Sequence, residues 1–486
     1  MLAGDRIDVP GCPLTLSRRR FLRGMSVSVL AAKMGLLDCA SSLLGAEDKP
    51  AGRPTVAVVF IRPKTSDPER LGERPIISWP GGQFDIKAGE ALHKKVLTAA
   101  ARTLGVGLEI RDEPLAGVPE IDAYIEHLKK APPDGLFIVA MELFRWNFVN
   151  HLVKNRGDIP TIVYSPMGSS FTQHLKAARS VPKTFVGATQ DVRWPAFGLR
   201  MLSTIWRMKH TRICILKGNK TADQRLDPLG TTLHYIPLAR FNEAFETVEA
   251  SDEVRALADA YAKAATEVVE PKKAEILDAA KNYVVCRRLM AAENCQGISV
   301  DCLRVPSIYR RPPCMAFSHL LDEGVVAACE ADTNAAISML LTHLLFERPG
   351  FMQDPAPNTI NNTLMGAHCT SATRLEGFAK GYRAPFRLRS YHTRTGVALQ
   401  VLWRAGQKVT IMKFQGPGSI ILGTGRVVAN IAQPPAGCCR TAVEIELDGV
   451  PDSGETKGFH QLFIYGDLER PFKAYCRLAG IKVEHI

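Results

Sequence analysis

No two cysteines in this chain are spaced as CxxC, and no histidine-rich run accompanies any of its 12 cysteines. A structural zinc site therefore has little to be built from. The cysteine density is also far below that of a disulfide scaffold, so most of these residues read as buried free thiols. Neither GxGxxG nor a P-loop occurs, and a nucleotide cofactor is not indicated. The formal net charge is +12, but no basic run interleaves with aromatics, which leaves a nucleic-acid partner without its usual signature. No apolar stretch approaches the roughly 20 residues that a membrane-spanning helix needs.

What is present is an average globular composition, 46% hydrophobic and 23% charged, over 486 residues. At roughly 150 residues per domain that length suggests about three domains. Residues 1–46 hold six Lys/Arg against three Asp/Glu. Within them Ser17-Arg18-Arg19-Arg20-Phe21-Leu22 precedes a short apolar stretch, Met25 to Ala32. A positive region, an apolar region and small residues in that order mark an export signal. The paired arginines give it a twin-arginine character, an address read by export machinery and not an anchor. The expected location is the periplasm or cell exterior.

From Thr55 short apolar runs alternate with helical stretches. Thr55–Ile61, Val106–Ile110, Gly135–Ala140 and Thr161–Ser165 read as strands, with helices over Lys87–Leu104 and Ile121–Lys130. Strands separated by helices at this spacing predict a parallel sheet covered on both faces. A second such unit begins near Val181 and includes the strands Arg212–Lys217 and Gly297–Val300. From about Phe386 the period changes to two, as in Val397–Trp403 and Val443–Leu447, with Gly/Pro turns between runs. That pattern predicts an antiparallel sheet or barrel. The expected organisation is an export signal over 1–46, α/β domains over 47–180 and 181–357, and a β-rich domain over 358–486. The fold class is thus α/β, with two Rossmann-like parallel-sheet domains followed by an antiparallel β-sheet or barrel.

The segment Gly324-Val-Val-Ala-Ala-Cys-Glu-Ala-Asp332 carries the clearest chemical signal. An apolar run stops at Glu330, and a helix follows whose apolar positions Ala335, Ala336, Met339, Leu340 and Leu344 keep helical spacing. Asp332 stands where an N-cap belongs. Glu330 therefore lies at the carboxyl end of a strand and beside a helix N-terminus, where open α/β sheets place their ligands and where the helix dipole favours a carboxylate. Pro349 and Gly350 end the helix, and Phe351-Met-Gln-Asp354 follows at once.

Cys329-Glu-Ala-Asp332, Phe351-Met-Gln-Asp354 and Gly366-Ala-His-Cys369, in that order, resemble the active-site region of the L-fucose/L-arabinose isomerase superfamily. Gly458-Phe-His-Gln-Leu-Phe-Ile-Tyr-Gly-Asp467 is similar to the superfamily's C-terminal metal-histidine motif. The match in order and spacing covers roughly 295–486. The resemblance implies that Glu330, Asp354 and His460 are metal ligands, and that His368 is an additional metal or substrate residue. Where the arabinose-type pattern has a carboxylate this chain reads Gln353, so the ligand there falls to Asp354.

Two carboxylates and an imidazole suit Mn²⁺, with Mg²⁺ or Co²⁺ as substitutes, better than tetrahedral zinc. The expected activity is a metal-dependent aldose–ketose isomerisation of a free monosaccharide through an enediol. Glu330 and Asp354 would jointly carry the proton. The resemblance also implies a homo-oligomer, a trimer or hexamer. The alternative is an exported sugar-binding or structural protein that keeps the fold without turnover. Each residue also has a purely structural reading: a helix start for Glu330, turn chemistry before Pro355 for Asp354, and a hydrogen-bonded core histidine for His368 and for His460, which lies in an otherwise apolar strand. Arg440, after Gly-Cys-Cys, is placed facing the cleft without a chemical role.

Overall fold

The computed structural model describes residues 52–64, 86–303, 311–391, 394–431 and 438–486. The expected export signal lies outside them. The first unit is a five-stranded parallel sheet of β1 (Thr55–Ile61), β2 (Gly107–Ile110), β3 (Gly135–Ala140), β4 (Thr161–Pro166) and β5 (Thr184–Thr189), ordered β2-β1-β3-β4-β5. Alternate residues of β1 enter different cores. Val56, Val58 and Phe60 pack in one cluster and Ala57, Val59 and Ile61 in another. Period-two alternation with both faces covered is what produces its unbroken apolar run. Helix α1 (Ile86–Leu104) covers one face through the stripe Ile86, Glu90, His93, Leu97 and Ala101, the spacing of one helix side. Helices α2 (Val118–Lys130), α3 (Trp146–Asn155) and α4 (Thr172–Ser180) complete the unit, and α5 (Trp194–His210) leads out of it.

The second sheet is ordered β11-β10-β6-β8-β7, from β6 (Arg212–Leu216), β7 (Ala222–Leu226), β8 (Thr231–Ile236), β10 (Gly297–Val300) and β11 (Val326–Cys329). Its ladder is parallel except for the exposed edge strand β7. Between β8 and β10 come α6 (Ala239–Glu246), α7 (Asp252–Ala264), the two-residue strand β9 (Glu267–Val268) and α8 (Lys273–Ala292). Helix α9 (Cys314–Asp322) precedes β11, and α10 (Thr333–Phe346) follows it.

The third unit is a closed antiparallel barrel. Its strands are β12 (Phe351–Asn358), β13 (Thr363–His368), β16 (Lys408–Phe414), β17 (Ser419–Asn430), β18 (Thr441–Leu447) and β19 (Gln461–Tyr465). The order β16-β19-β12-β13-β18-β17 closes where β17 pairs back onto β16. Helix α11 (Glu469–Ala479) and β20 (Lys482–His485), parallel to β17, end the chain. In a small separate sheet β14 (Phe386–Arg389) pairs with β9 on one side and with β15 (Ala398–Val401) on the other.

Two details differ from the sequence expectation. Thr184–Thr189 completes the first sheet beside β4, so the strand after Val181 closes the first unit and does not open the second. Phe351–Asn358 is a barrel strand, which places Asp354 in the barrel while Glu330 stays on the α/β sheet. Helix α10 joins the two. It is buried nearly all round, as a helix apolar on every side must be, and it packs against β11, α5, β16 and β19. The Ser338 hydroxyl accepts a hydrogen bond from the Phe414 amide at 2.9 Å, fixing α10 to the barrel.

Candidate metal centre

Beyond β11 the backbone turns sharply. Glu330 and Ala331 both adopt left-handed conformations, φ 62° and 51°. The turn is held by the Ala331 amide donating to the Val300 carbonyl and the Asp332 amide to the Cys329 carbonyl, each at 3.2 Å. Such conformations cost a non-glycine residue on the order of 1–3 kcal/mol and persist where the surroundings impose them. Here they turn the Glu330 carboxylate toward the barrel. Asp332 then caps α10, its Oδ1 accepting from the Ala335 amide at 2.8 Å.

The barrel supplies the other groups. In the β12–β19 ladder Gln353 opposes Gln461, and in the β12–β13 ladder Asp354 opposes Ala367. Asp354 therefore sits between His460, one residue before β19, and the end of β13, where His368 lies. His460 is left-handed, with φ 56°. It is not a strand residue but the bend that enters the strand. Its Nε2 lies 3.5 Å from Glu330 Oε2 and 3.1 Å from Asp354 Oδ1. His368 Nε2 is 3.5 Å from Glu330 Oε1. The two imidazoles stand edge to face, with centroids 5.8 Å apart.

The ligand atoms of Glu330, His368 and His460 all lie within 4.8 Å of one another. Asp354 joins this cluster through His460, with its side chain 39% exposed. The structure therefore groups all four residues singled out in the sequence. His368 sits inside the tight cluster and Asp354 at its open side.

The satisfaction of polar atoms shows what this cluster is suited to hold. Both ring nitrogens of His368 are buried without a hydrogen-bond partner, and His460 Nε2 and Asp354 Oδ1, also buried, have only each other at 3.1 Å on this side. Buried polar atoms are normally paired, and leaving one unpaired costs about 1–3 kcal/mol. This grouping fits a bound cation, which would take one lone pair from each imidazole together with the carboxylate oxygens. Oxygen and imidazole donors match a divalent ion of the harder or borderline kind. The nearby thiols do not enter the donor set. Burial pushes Cys302 up to about 12 and holds Cys314 and Cys329 well above the ordinary thiol range, and among the described residues no cysteine joins the cluster of Glu330, His368 and His460.

His460 has a second, directed partner. Its Nδ1 donates to Asp332 Oδ2 at 2.8 Å. A carboxylate only accepts, so Nδ1 carries the proton and Nε2 is the atom turned to the cluster. A carboxylate behind a ligating imidazole is the usual means of fixing its orientation. Burial by itself would depress His460, but hydrogen bonding to Asp332 and the carboxylates of Asp354 and Glu330 outweigh it and hold the imidazole at about 9. Burial likewise opposes ionisation of Asp332, yet His460, Lys413 and the Ala335 amide hold it well below the ordinary carboxylate range. Asp354 is also lowered, burial being outweighed by His460 and His368.

Sequence reasoning missed Lys413. Its ammonium donates to Asp332 Oδ2 at 2.7 Å and to the Phe459 carbonyl. The available signal was a lysine between Met412 and Phe414 in an otherwise apolar run. Arg440 does not face the cluster. It is buried, with Nε donating to the Ser390 carbonyl at 2.7 Å and Nη2 to the Tyr391 carbonyl at 3.4 Å.

No family model matches this chain. A curated protein, sulfoquinovose isomerase from Alkalicoccus urumqiensis, is 24% identical to it over 285 residues. The alignment covers 51% of this chain and 62% of the relative, so the chain spans less than two thirds of that protein's length. The chain is thus similar, distantly and over part of its length, to a sugar isomerase.

Proposed function

We propose that this protein is a metal-dependent aldose–ketose isomerase acting on a free monosaccharide. One observation carries the reading: two carboxylates and two imidazoles from four separate segments meet, the ligand atoms of Glu330, His368 and His460 within 4.8 Å of one another and Asp354 3.1 Å from His460. Glu330, His460 and His368 would hold the ion, with Asp354 completing the set from the open side. Mn²⁺ fits these donors best, with Mg²⁺ or Co²⁺ as substitutes. Such an ion, when bound, would polarise the sugar carbonyl as a Lewis acid. The chain's own part is proton transfer. A carboxylate takes the C2 proton of the aldose while the O2 hydroxyl proton passes to O1, and the carboxylic acid so formed, which exchanges with solvent, delivers a proton to C1. Asp354 and Glu330 are the two carboxylates within reach. The similarity to a sulfoquinovose isomerase supports isomerisation as the class of reaction.

The test is hydrogen exchange. Metal-loaded protein incubated in D₂O with a panel of aldoses, sulfoquinovose included, should incorporate deuterium at C2 or at the ketose C1, read by NMR. Absence of both exchange and ketose formation with every sugar under Mn²⁺, Mg²⁺ and Co²⁺ would leave the alternative, a sugar-binding or structural protein without turnover. The reading also includes export through the Arg18-Arg19 signal. Replacing both by Lys should retain the protein in the cytoplasm, since guanidinium pairs are not imitated by ammonium groups. The proposed homo-oligomer is tested by mass photometry, where a monomer at every concentration would refute it.

A further inference from the structure

Lys413 is 7% exposed and belongs to β16, on the barrel. A buried ammonium is costly unless paired, and an apolar side chain would fill this strand position as well. Lys413 is instead bonded on two sides. One hydrogen bond goes to Asp332 Oδ2, the same atom that accepts from His460 Nδ1. The other goes to the carbonyl of Phe459, the residue immediately before His460. His460 is thereby held twice, through its ring by way of Asp332 and through its backbone by way of Phe459. The backbone hold matters because His460 is left-handed, a conformation that a non-glycine side chain keeps only under constraint. Lys413 also bridges two units of the fold, since Asp332 stands at the N-terminus of α10 and Phe459 at the entry to β19.

We infer that Lys413 is a positioning residue for His460, fixing both the bend at 459–460 and the carboxylate that orients the imidazole, so that Nε2 faces Glu330 and Asp354. The inference rests on the metal-centre reading in taking His460 as a ligand. A competing role is pure charge balance for Asp332, and the two roles predict opposite signs. Removing a positive charge near a cation site favours the cation. Removing a positioning residue weakens binding, and outer partners of metal-bound histidines are typically worth about 10–100-fold in affinity.

The experiment compares Lys413→Met and Lys413→Gln, both neutral, with the full-length wild type. Mn²⁺ affinity is measured by isothermal titration. Lys413→Met should bind Mn²⁺ about 10–100-fold more weakly, and Lys413→Gln, which keeps a donor for the Phe459 carbonyl or Asp332, should recover part of that loss at the same charge. Unchanged or tighter binding in both variants would overturn the inference. A second readout needs no metal. In metal-free protein labelled with ¹⁵N-histidine, the His460 Nδ1–H signal, assigned with His460→Gln, should be protected from exchange in the wild type and lost in Lys413→Met. An unaltered signal in that variant would also overturn it. If the wild type binds no Mn²⁺, the metal reading fails, while the metal-free comparison still decides the role of Lys413. If Lys413→Met does not fold, Lys413→Gln supplies the same comparisons.

Discussion

Asp332 and His460 are 128 residues apart in the chain and 2.8 Å apart in the fold. One belongs to the α/β sheet's last turn and the other to the barrel, so the candidate centre forms only where α10 is docked. The aspartate does two jobs with two oxygens. Oδ1 caps the helix, and Oδ2 holds the imidazole.

That division makes Asp332→Asn informative. Asn is as good an N-cap as Asp, so α10 should persist. With Oδ1 kept on the Ala335 amide, however, the amide nitrogen faces His460 and Lys413, both donors. The imidazole then gains by moving its proton to Nε2, where a ligand lone pair is needed. We expect near-wild-type circular dichroism and a Mn²⁺ affinity lower by about 10–100-fold. Affinity equal to the wild type would mean that this hydrogen bond does not orient a ligand.

The raised proton affinity of His460 has a consequence for binding. With the imidazole held up at about 9, the metal-free protein carries that proton at neutral pH, and a metal ion must displace it. Affinity should therefore rise with pH, by about tenfold per unit, and level off above about 9. Titration calorimetry near pH 7.5 in two buffers of different ionisation enthalpy should report close to one proton released per ion. Zero release would show that His460 is not among the ligands.

Parts of this arrangement were legible in the sequence because local physics marks them. The run in β1 is unbroken because both of its faces are buried, and Glu330 stands out because an apolar strand ends on it. Asp332 reads as a cap from position alone. Asp354 was harder. Pro355 and Pro357 make Phe351–Asn358 look like a turn, yet β12 is bonded to β19 only over Phe351–Gln353 and beyond that has β13 alone. A strand with one free side tolerates prolines. Lys413 was silent because one lysine in an apolar strand carries no local mark of its partners, which come from residues 81 and 46 positions away. The sheet of β9, β14 and β15 was equally hidden, since it joins segments more than a hundred residues apart.

A separate pH effect concerns stability. His343, in α10, is buried, with Nδ1 near the Gly324 carbonyl at 3.1 Å and Nε2 unpartnered. Burial lowers it to about 4. Its folded form thus disfavours the proton relative to the unfolded chain, at about 6.5. Its full contribution is present above about 6.5 and is lost as pH falls from there through about 4. The loss amounts to roughly 3 kcal/mol, since one unit is about 1.4 kcal/mol. In wild type the melting temperature should fall across that window, and in His343→Phe the fall should be smaller. Parallel curves for the two proteins would show that His343 does not carry the acid sensitivity.

Asp354 lies 3.1 Å from His460 Nε2 on the open side of the cluster. Asp354→Asn keeps the size and a carbonyl donor while removing charge and basicity. If Asp354 is both ligand and proton carrier, Mn²⁺ affinity should weaken, and excess metal should restore occupancy. Turnover should stay low even at full occupancy, because an amide cannot accept the C2 proton, and general acid–base steps are typically worth ~10²–10⁴-fold. The fold should be unaffected, since Asp354 is half-exposed and its backbone pairing with Ala367 does not involve the side chain. Glu330→Gln provides the companion measurement. If Glu330 alone moves the proton, Glu330→Gln should abolish C2 exchange at saturating Mn²⁺ while Asp354→Asn retains it. If the two share the task, both variants should be slow. Equal rates for wild type and Asp354→Asn at saturating metal would remove Asp354 from the chemistry and leave it a bystander beside His460.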